Sequence, residues 1–214
     1  MPDQSLTFTL LADGTSDSVL IPLLTLVLQT CLPDVAINSV FANPDRLLPR
    51  PRNLAERIER AIDIYPCEVL FVHRDAEKEP RSNRIAEITA TITELAAKGI
   101  MHPYICVIPV RMTEAWLLFD EAAIRQAANN LNGRNALAMP SLRRLENLPD
   151  PKTRLFDLLR SASELPAQRR RTFDVYEGRR QVARRITDYR PLLQLSAFQA
   201  LDADVKAWVA ATYG

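Results

Sequence analysis

The apolar positions of the chain fall into two alternating kinds of segment. Leu6 to Leu11 is rich in apolar and β-branched residues and stops at the turn pair Asp13-Gly14, after which Thr15 or Ser16 can cap a helix running through Leu28. Val35 to Phe41 predicts a second strand. A Pro-punctuated loop through Pro51 then leads to a helix from about Asn53, with Leu54, Ile58, Ala61 and Ile62 on one face. Val69 to Val72 is a continuous apolar run, the pattern of a strand buried on both faces of a parallel sheet. A polar stretch from His73 to Asn83 follows. Ile85, Ile88, Ile92, Leu95 and Ala96 then recur at helical spacing until Gly99, Tyr104 to Val110 predicts a fourth strand, and Thr113 begins a helix that carries Trp116, Leu117 and Leu118 into the core. Strand and helix alternate four times. The fold class this predicts is α/β, a largely parallel Rossmann-like sheet flanked by helices, with ligands outside the carboxyl ends of the strands.

From about Asn129 the pattern changes. A polar loop with Asn132 and Gly133 leads to a helix from Pro151 capped by Asp150, an arginine cluster, and two more helices ending near Tyr213, with no strand among them. The expected organisation is an α/β domain over residues 1–129 and a basic helical extension over 130–214 packed on it. Charge sharpens this division. The net charge of +1 conceals a local imbalance, because residues 143–190 hold thirteen of the twenty-seven Lys and Arg but seven of the twenty-six Asp and Glu. That segment carries an excess of six positive charges and the rest of the chain a deficit of five. Such an asymmetry points to an anionic partner, nucleic acid ahead of membrane. Arg169, Arg170, Arg171, Arg179 and Arg180 would supply the backbone contacts, with a salt-sensitive affinity, or else form a solvated face.

Five glycines against fifteen prolines leave no room for a glycine-rich phosphate loop, and neither G-x-x-x-x-G-K-[ST] nor G-x-G-x-x-G occurs. P-loop and dinucleotide-binding chemistry are excluded on that ground. Cys31, Cys67 and Cys106 are too widely spaced for a disulfide framework or a zinc site, which leaves reduced thiols. The opening MPDQSLTFTL lacks a basic signal-peptide region, and Val19 to Leu28 is too short to span a bilayer; the expectation is a cytoplasmic protein with no membrane anchor.

Acidic residues gather at the predicted strand ends. Asp13, with Asp17 one helical turn later, follows the first strand, Asp75 and Glu77 follow the third, and Glu114 follows the fourth. In a parallel sheet these positions converge on one rim, and Asp75 and Glu77 point the same way if the chain stays extended. Carboxylates gathered without enough bases repel one another, and a hard divalent cation is the simplest relief. Mg²⁺ or Mn²⁺ suits oxygen ligands, and two such ions about 4 Å apart would stabilise both the attacking and leaving oxygens of a phosphodiester displacement. Arg74, Lys78 and Arg111 flank the acids and are placed either to hold a scissile phosphate or to neutralise the carboxylates. His73 is a candidate metal ligand or proton relay, or an ordinary strand-end histidine.

Asp13-Gly14-Thr15-Ser16-Asp17 resembles the E-G-x-x-D opening of TOPRIM domains, and Asp75-Ala76-Glu77 resembles their D-x-D element. TOPRIM is the catalytic module of topoisomerases, primases and the nucleases of the overcoming-lysogenization-defect group. The segments FVHRDAE and PVRMTEAWLLFD resemble an uncharacterised bacterial TOPRIM-like family, a likeness that runs through most of the chain and includes LPDPK; the likeness to TOPRIM proper is confined to residues 6–120. The resemblance implies a Mg²⁺- or Mn²⁺-dependent phosphodiesterase acting on nucleic acid, with an ATPase partner as other TOPRIM nucleases have. Its metal ligands would be Asp75, Glu77 and Glu114, with Asp13 as ligand or acid/base group and Arg111 and Lys78 on the phosphate. Two departures bear on activity: Asp13 stands where the family has Glu, and Glu77 makes the D-x-D a D-x-E. A non-catalytic module that binds nucleic acid or a protein partner, and an enzyme acting on a small phosphate ester, are the alternatives.

Overall fold

The structure is a computed structural model that describes residues 5–77 and 79–214. Four strands, β1 (Ser5–Leu11), β2 (Ala36–Ala42), β3 (Val69–His73) and β4 (Tyr104–Val107), form one all-parallel sheet in the order β2-β1-β3-β4. Leu11 pairs with both Ala42 and Val72, and Val72 with Cys106, so the carboxyl ends of all four strands finish level. The chain leaves β1 toward β2 and then returns past β1 to build β3. That reversal opens a crevice between the ends of β1 and β3, the place where open α/β sheets hold their ligands.

Side-chain alternation sends successive residues to opposite layers. Leu6, Phe8 and Leu10 of β1, Val69 and Phe71 of β3, and Ile105 and Val107 of β4 face one core, which α1 (Ile21–Cys31), α4 (Glu121–Ala127), α5 (Pro151–Ala162), α7 (Val175–Arg185) and α8 (Ser196–Tyr213) cover. Leu11, Leu70, Val72 and Cys106 face the other, closed by α2 (Leu54–Ile64) and α3 (Arg81–Ala97) through Ile58, Ala61, Ile88 and Leu95. Phe8 and Phe71 meet edge-on in the first core at 5.2 Å, and Trp116 meets Phe198 of α8 at 5.0 Å. Leu155, Leu159, Val182 and Leu201 therefore share a core with the sheet, so the helical region is built onto the α/β body.

Three boundaries differ from the sequence expectation, each for a local reason. The helix expected from Thr15 through Leu28 is a 3₁₀ turn at Thr15–Leu20 followed by α1, because Pro22 has no N–H to donate and belongs in a first helical turn. The fourth strand stops at Val107: Pro109 cannot donate to a ladder, and Arg111 lies at a φ of 67°. Thr113 starts a 3₁₀ turn, Thr113–Leu117, and the helix proper, α4, begins after Asp120, whose carboxylate accepts the Ala123 N–H at 2.9 Å. Among the described residues no helix is long and apolar enough to cross a membrane.

Candidate functional site at the carboxyl edge of the sheet

Past its last residue β1 turns through Asp13 and Gly14, and Asp17 folds back so that its Oδ2 accepts the Gly14 N–H at 3.2 Å. This contact holds Asp17, 9% exposed, against the end of the sheet. His73 is the last residue of β3, and its ring lies between two carboxylates: Nδ1 is 3.8 Å from Asp17 Oδ2 and Nε2 is 3.3 Å from Asp75 Oδ1. The first distance is too long for a hydrogen bond and leaves Nδ1 buried without a partner. From the segment after β4, the Thr113 hydroxyl reaches both His73 Nε2 at 3.1 Å and Asp75 Oδ1 at 3.4 Å.

Glu114, next in the chain, is buried, and α7 brings Arg179 to meet it. Arg179 Nη1 donates to the Ser16 carbonyl at 2.8 Å, Nη2 lies 3.9 Å from Asp17 Oδ1, and Nε lies 2.9 Å from Glu114 Oε1. The last approach is an ion pair whose N–H is not aimed at the oxygen, since Nε makes no aligned hydrogen bond. Burial pushes the Glu114 carboxyl above the usual carboxylate range and neighbouring Asp75 adds to the effect, while Arg179 opposes both. One arginine and one histidine thus stand among three carboxylates, Asp17, Asp75 and Glu114. A hydroxyl, an imidazole and a carboxylate stand together here, but Thr113 and Asp75 approach the same ring nitrogen, Nε2, which is not the relay of a hydrolytic triad. Thr113, only 1% exposed, cannot present its hydroxyl to a substrate, so it serves to orient His73 and Asp75.

Asp13 belongs to a different neighbourhood. Its Oδ1 is bound by Arg57 Nη1 and its Oδ2 by Arg74 Nε, both at 2.7 Å, and Arg57 also donates to the Ala12 carbonyl. Arg74 reaches on to Glu87 at 2.7 Å, a carboxylate that Arg84 shares while donating to the Asp75 carbonyl at 3.2 Å. No protein family, curated protein or solved structure matches the chain. What the site can do therefore rests on its own geometry.

Set against the sequence expectations, that geometry regroups the acids. Asp75 and Glu114 come together with Asp17, whereas Asp13 has both oxygens held by guanidinium groups. Glu77 does not continue the extended chain that would align it with Asp75. It sits at a φ of 56°, exposed, in a turn closed by the Glu79 N–H on the Ala76 carbonyl. Among the described residues no three of His, Cys, Asp and Glu stand as a ready metal-ligand group. Arg111 is half-buried and its carbonyl accepts the Glu77 N–H at 3.1 Å; Lys78 lies outside the described residues.

On the surface, Arg169, Arg170 and Arg171 are exposed on α6 (Ala167–Arg171), and Arg180 is exposed on α7 beside Glu177. Arg179 corrects the expectation that it contacts nucleic acid: it is 4% exposed and turned into the site. The signal for this was in the sequence. Val175, Gly178, Val182 and Ala183 form the inward stripe of α7, and Arg179 falls on that stripe at helical spacing. His73 was a candidate from its place at the strand end before Asp75, whereas Thr113, equally central to the buried network, carried no comparable signal. At the opposite end of the sheet Cys67 and His102 approach to 3.4 Å, but burial raises the thiol and lowers the imidazole, which leaves both uncharged and the thiol a poor nucleophile.

Proposed function

We propose that the protein is a divalent-metal-dependent phosphodiesterase that acts on nucleic acid at the β1–β3 crevice. The observation that carries this reading is the surplus of carboxylate there: Asp17 and Glu114 share the single guanidinium of Arg179, Asp75 lies against His73 Nε2 and the Thr113 hydroxyl, and His73 Nδ1 is left without a partner. Mg²⁺ or Mn²⁺ fits such a donor set, because the ion needs only one or two carboxylates and keeps several waters. Asp75 is the natural ligand. Its side chain is 27% exposed, and its Oδ2 has no protein partner among the described residues. Glu114 stands as the second acid, with Arg179 holding it in place. A bound ion would polarise a phosphoryl oxygen and acidify a water. His73 and Thr113 fix the Asp75 carboxylate from one side, Arg74 clamps Asp13 on the other, and the exposed arginines of α6 meet the strand backbone.

The purified chain is expected to nick plasmid or cut single strands with Mg²⁺ or Mn²⁺, and Asp75→Asn to abolish cleavage with an unchanged melting temperature. Equal cleavage by both proteins would end the assignment. A second reading, a non-catalytic nucleic-acid-binding module, is favoured by the pairing of Asp13 with two arginines and of Glu114 with Arg179, which neutralises two of the expected acids without any ion. Calorimetry separates the two, because such a module binds neither metal in a way that depends on Asp75.

A further inference from the structure

On the α2–α3 side of the sheet, the segment joining β2 to α2 folds over a cavity of about 500 Å³ that opens beside Asp13. Its charged lining is Arg50, Arg52, Arg57 and Arg74 against Asp13 and Glu87, a surplus of two positive charges. Pairs reaching just outside do not cancel this surplus, since Glu56 on Arg52 is balanced by Arg84 on Glu87. Arg50 is exposed and has no ion-pair partner among the described residues. Asn53 and Leu54 also line the space and begin α2. The Asn53 side chain accepts the Glu56 N–H at 2.9 Å, and the remaining N–H groups of that first turn have no partner within the helix, which gives this end a partial positive charge. Leu47 and Leu54 supply an apolar wall.

A rigid carboxylate-binding role does not suit this lining, because its two acids already occupy Arg57 and Arg74, and on the rim Arg52 is paired with Glu56 while Arg50 has no ion-pair partner among the described residues. Two unbalanced guanidinium charges together with a helix start match a phosphomonoester, which carries about −1.5 to −2 at neutral pH, better than a diester with its single charge. The volume also exceeds what a phosphate alone would fill, and leaves space for the sugar to which it is attached.

We infer that this cavity binds a phosphomonoester, and that its source is the phosphorylated end of a nucleic-acid strand lying across the neighbouring carboxylates. The inference deepens the phosphodiesterase reading and rests on it for the identity of the strand. The binding itself requires neither metal nor turnover.

Equilibrium binding of the full chain in EDTA at low salt tests it, with four probes: a single strand bearing a 5′-phosphate, the same strand with a 3′-phosphate, the unphosphorylated strand, and a nucleoside 5′-monophosphate. One phosphorylated strand is expected to bind about tenfold tighter than the unphosphorylated one, the gain of one or two charge-assisted contacts. Arg50→Ala with Arg52→Ala, both at exposed positions and checked by unchanged melting, is expected to erase that preference. Equal binding of all strands, or a preference that survives the double substitution, overturns the inference. A nucleoside monophosphate that binds as tightly as the phosphorylated strand, with the same dependence on Arg50, overturns the strand end as the source. Asp75→Asn keeps the preference while losing cleavage. A wild-type chain that keeps the preference but never cleaves would therefore fail the phosphodiesterase reading alone.

Discussion

Two charged regions flank the end of β1, and they are built in opposite ways. The carboxylate network draws on segments far apart in the chain, with Arg179 reaching back 163 residues to Ser16, and its members Asp17, His73, Glu114 and Arg179 are buried. The arginine-lined cavity takes most of its lining from one stretch, 44–57, and the Arg52 side chain is 87% exposed. Burial removes the option of solvating a charge, so each buried group depends on its partner and the geometry is set by the fold. Exposed pairs are exchangeable with water and salt, so they shape a binding surface while contributing little to stability. Substitutions on the first side should be read in the stability of the protein, and substitutions on the second in its affinity.

Arg179→Met is the sharpest way to break this contrast. It leaves Glu114 buried without its cation and removes the bond to the Ser16 carbonyl, and the expected cost is about 3–5 kcal/mol in denaturant unfolding. Adding Glu114→Gln should restore much of the loss, because the amide carries no charge to strand. If Arg179→Met unfolds like the wild type, the network is no more interdependent than the surface, and the distinction between the two regions falls.

The same distinction explains what could be read from the sequence. The strands were legible because β3 is apolar on both faces and β1 alternates Leu6, Phe8 and Leu10 with β-branched Thr7 and Thr9, and α2 because Leu54, Ile58, Ala61 and Ile62 repeat at helical spacing. Convergence of Asp75 and Glu114 followed from a parallel sheet with level strand ends. The pairing of Asp13 followed only in part: Arg74 was placed to neutralise a carboxylate, but Arg57 lies 44 residues away and nothing local distinguishes that arginine from Arg52 or Arg60. Glu77 was misaligned for a related reason: the expected alternation assumes extended backbone, and its positive φ breaks it. The opposition between an acidic body and a basic extension also needed three dimensions. One of the basic residues, Arg179, is the cation that the acidic body uses.

Protonation provides a milder probe of the buried side. Because burial raises the Glu114 carboxyl above its unfolded value, the folded state keeps this proton after the unfolded state has lost it. Stability from this group must then fall as pH rises from the ordinary carboxylate range through the raised value. Melting temperatures across that interval should decline less steeply in Glu114→Gln than in the wild type, with both proteins held at one ionic strength. Identical slopes would mean that Arg179 has already offset the burial, and would bring the buried region closer in behaviour to the exposed one.

Arg52→Ala carries the smallest expected effect and tests the comparison from the other side. Arg52 lies 3.0 Å from Glu56 through Nη2, but its side chain is nearly all in solvent, and Glu56 keeps the Arg52 backbone N–H at 2.9 Å whatever side chain is there. The hydrogen bonds from Arg52, that backbone N–H first, hold Glu56 below the usual carboxylate range, so only part of its stabilisation leaves with the guanidinium. Little or no loss in denaturant unfolding is expected, and whatever loss there is should shrink further as salt is added. A loss of several kcal/mol, insensitive to salt, would show that the rim of the cavity depends on its partners no less than Arg179 does, and the cavity would then be a structural joint with no spare charge for a phosphate.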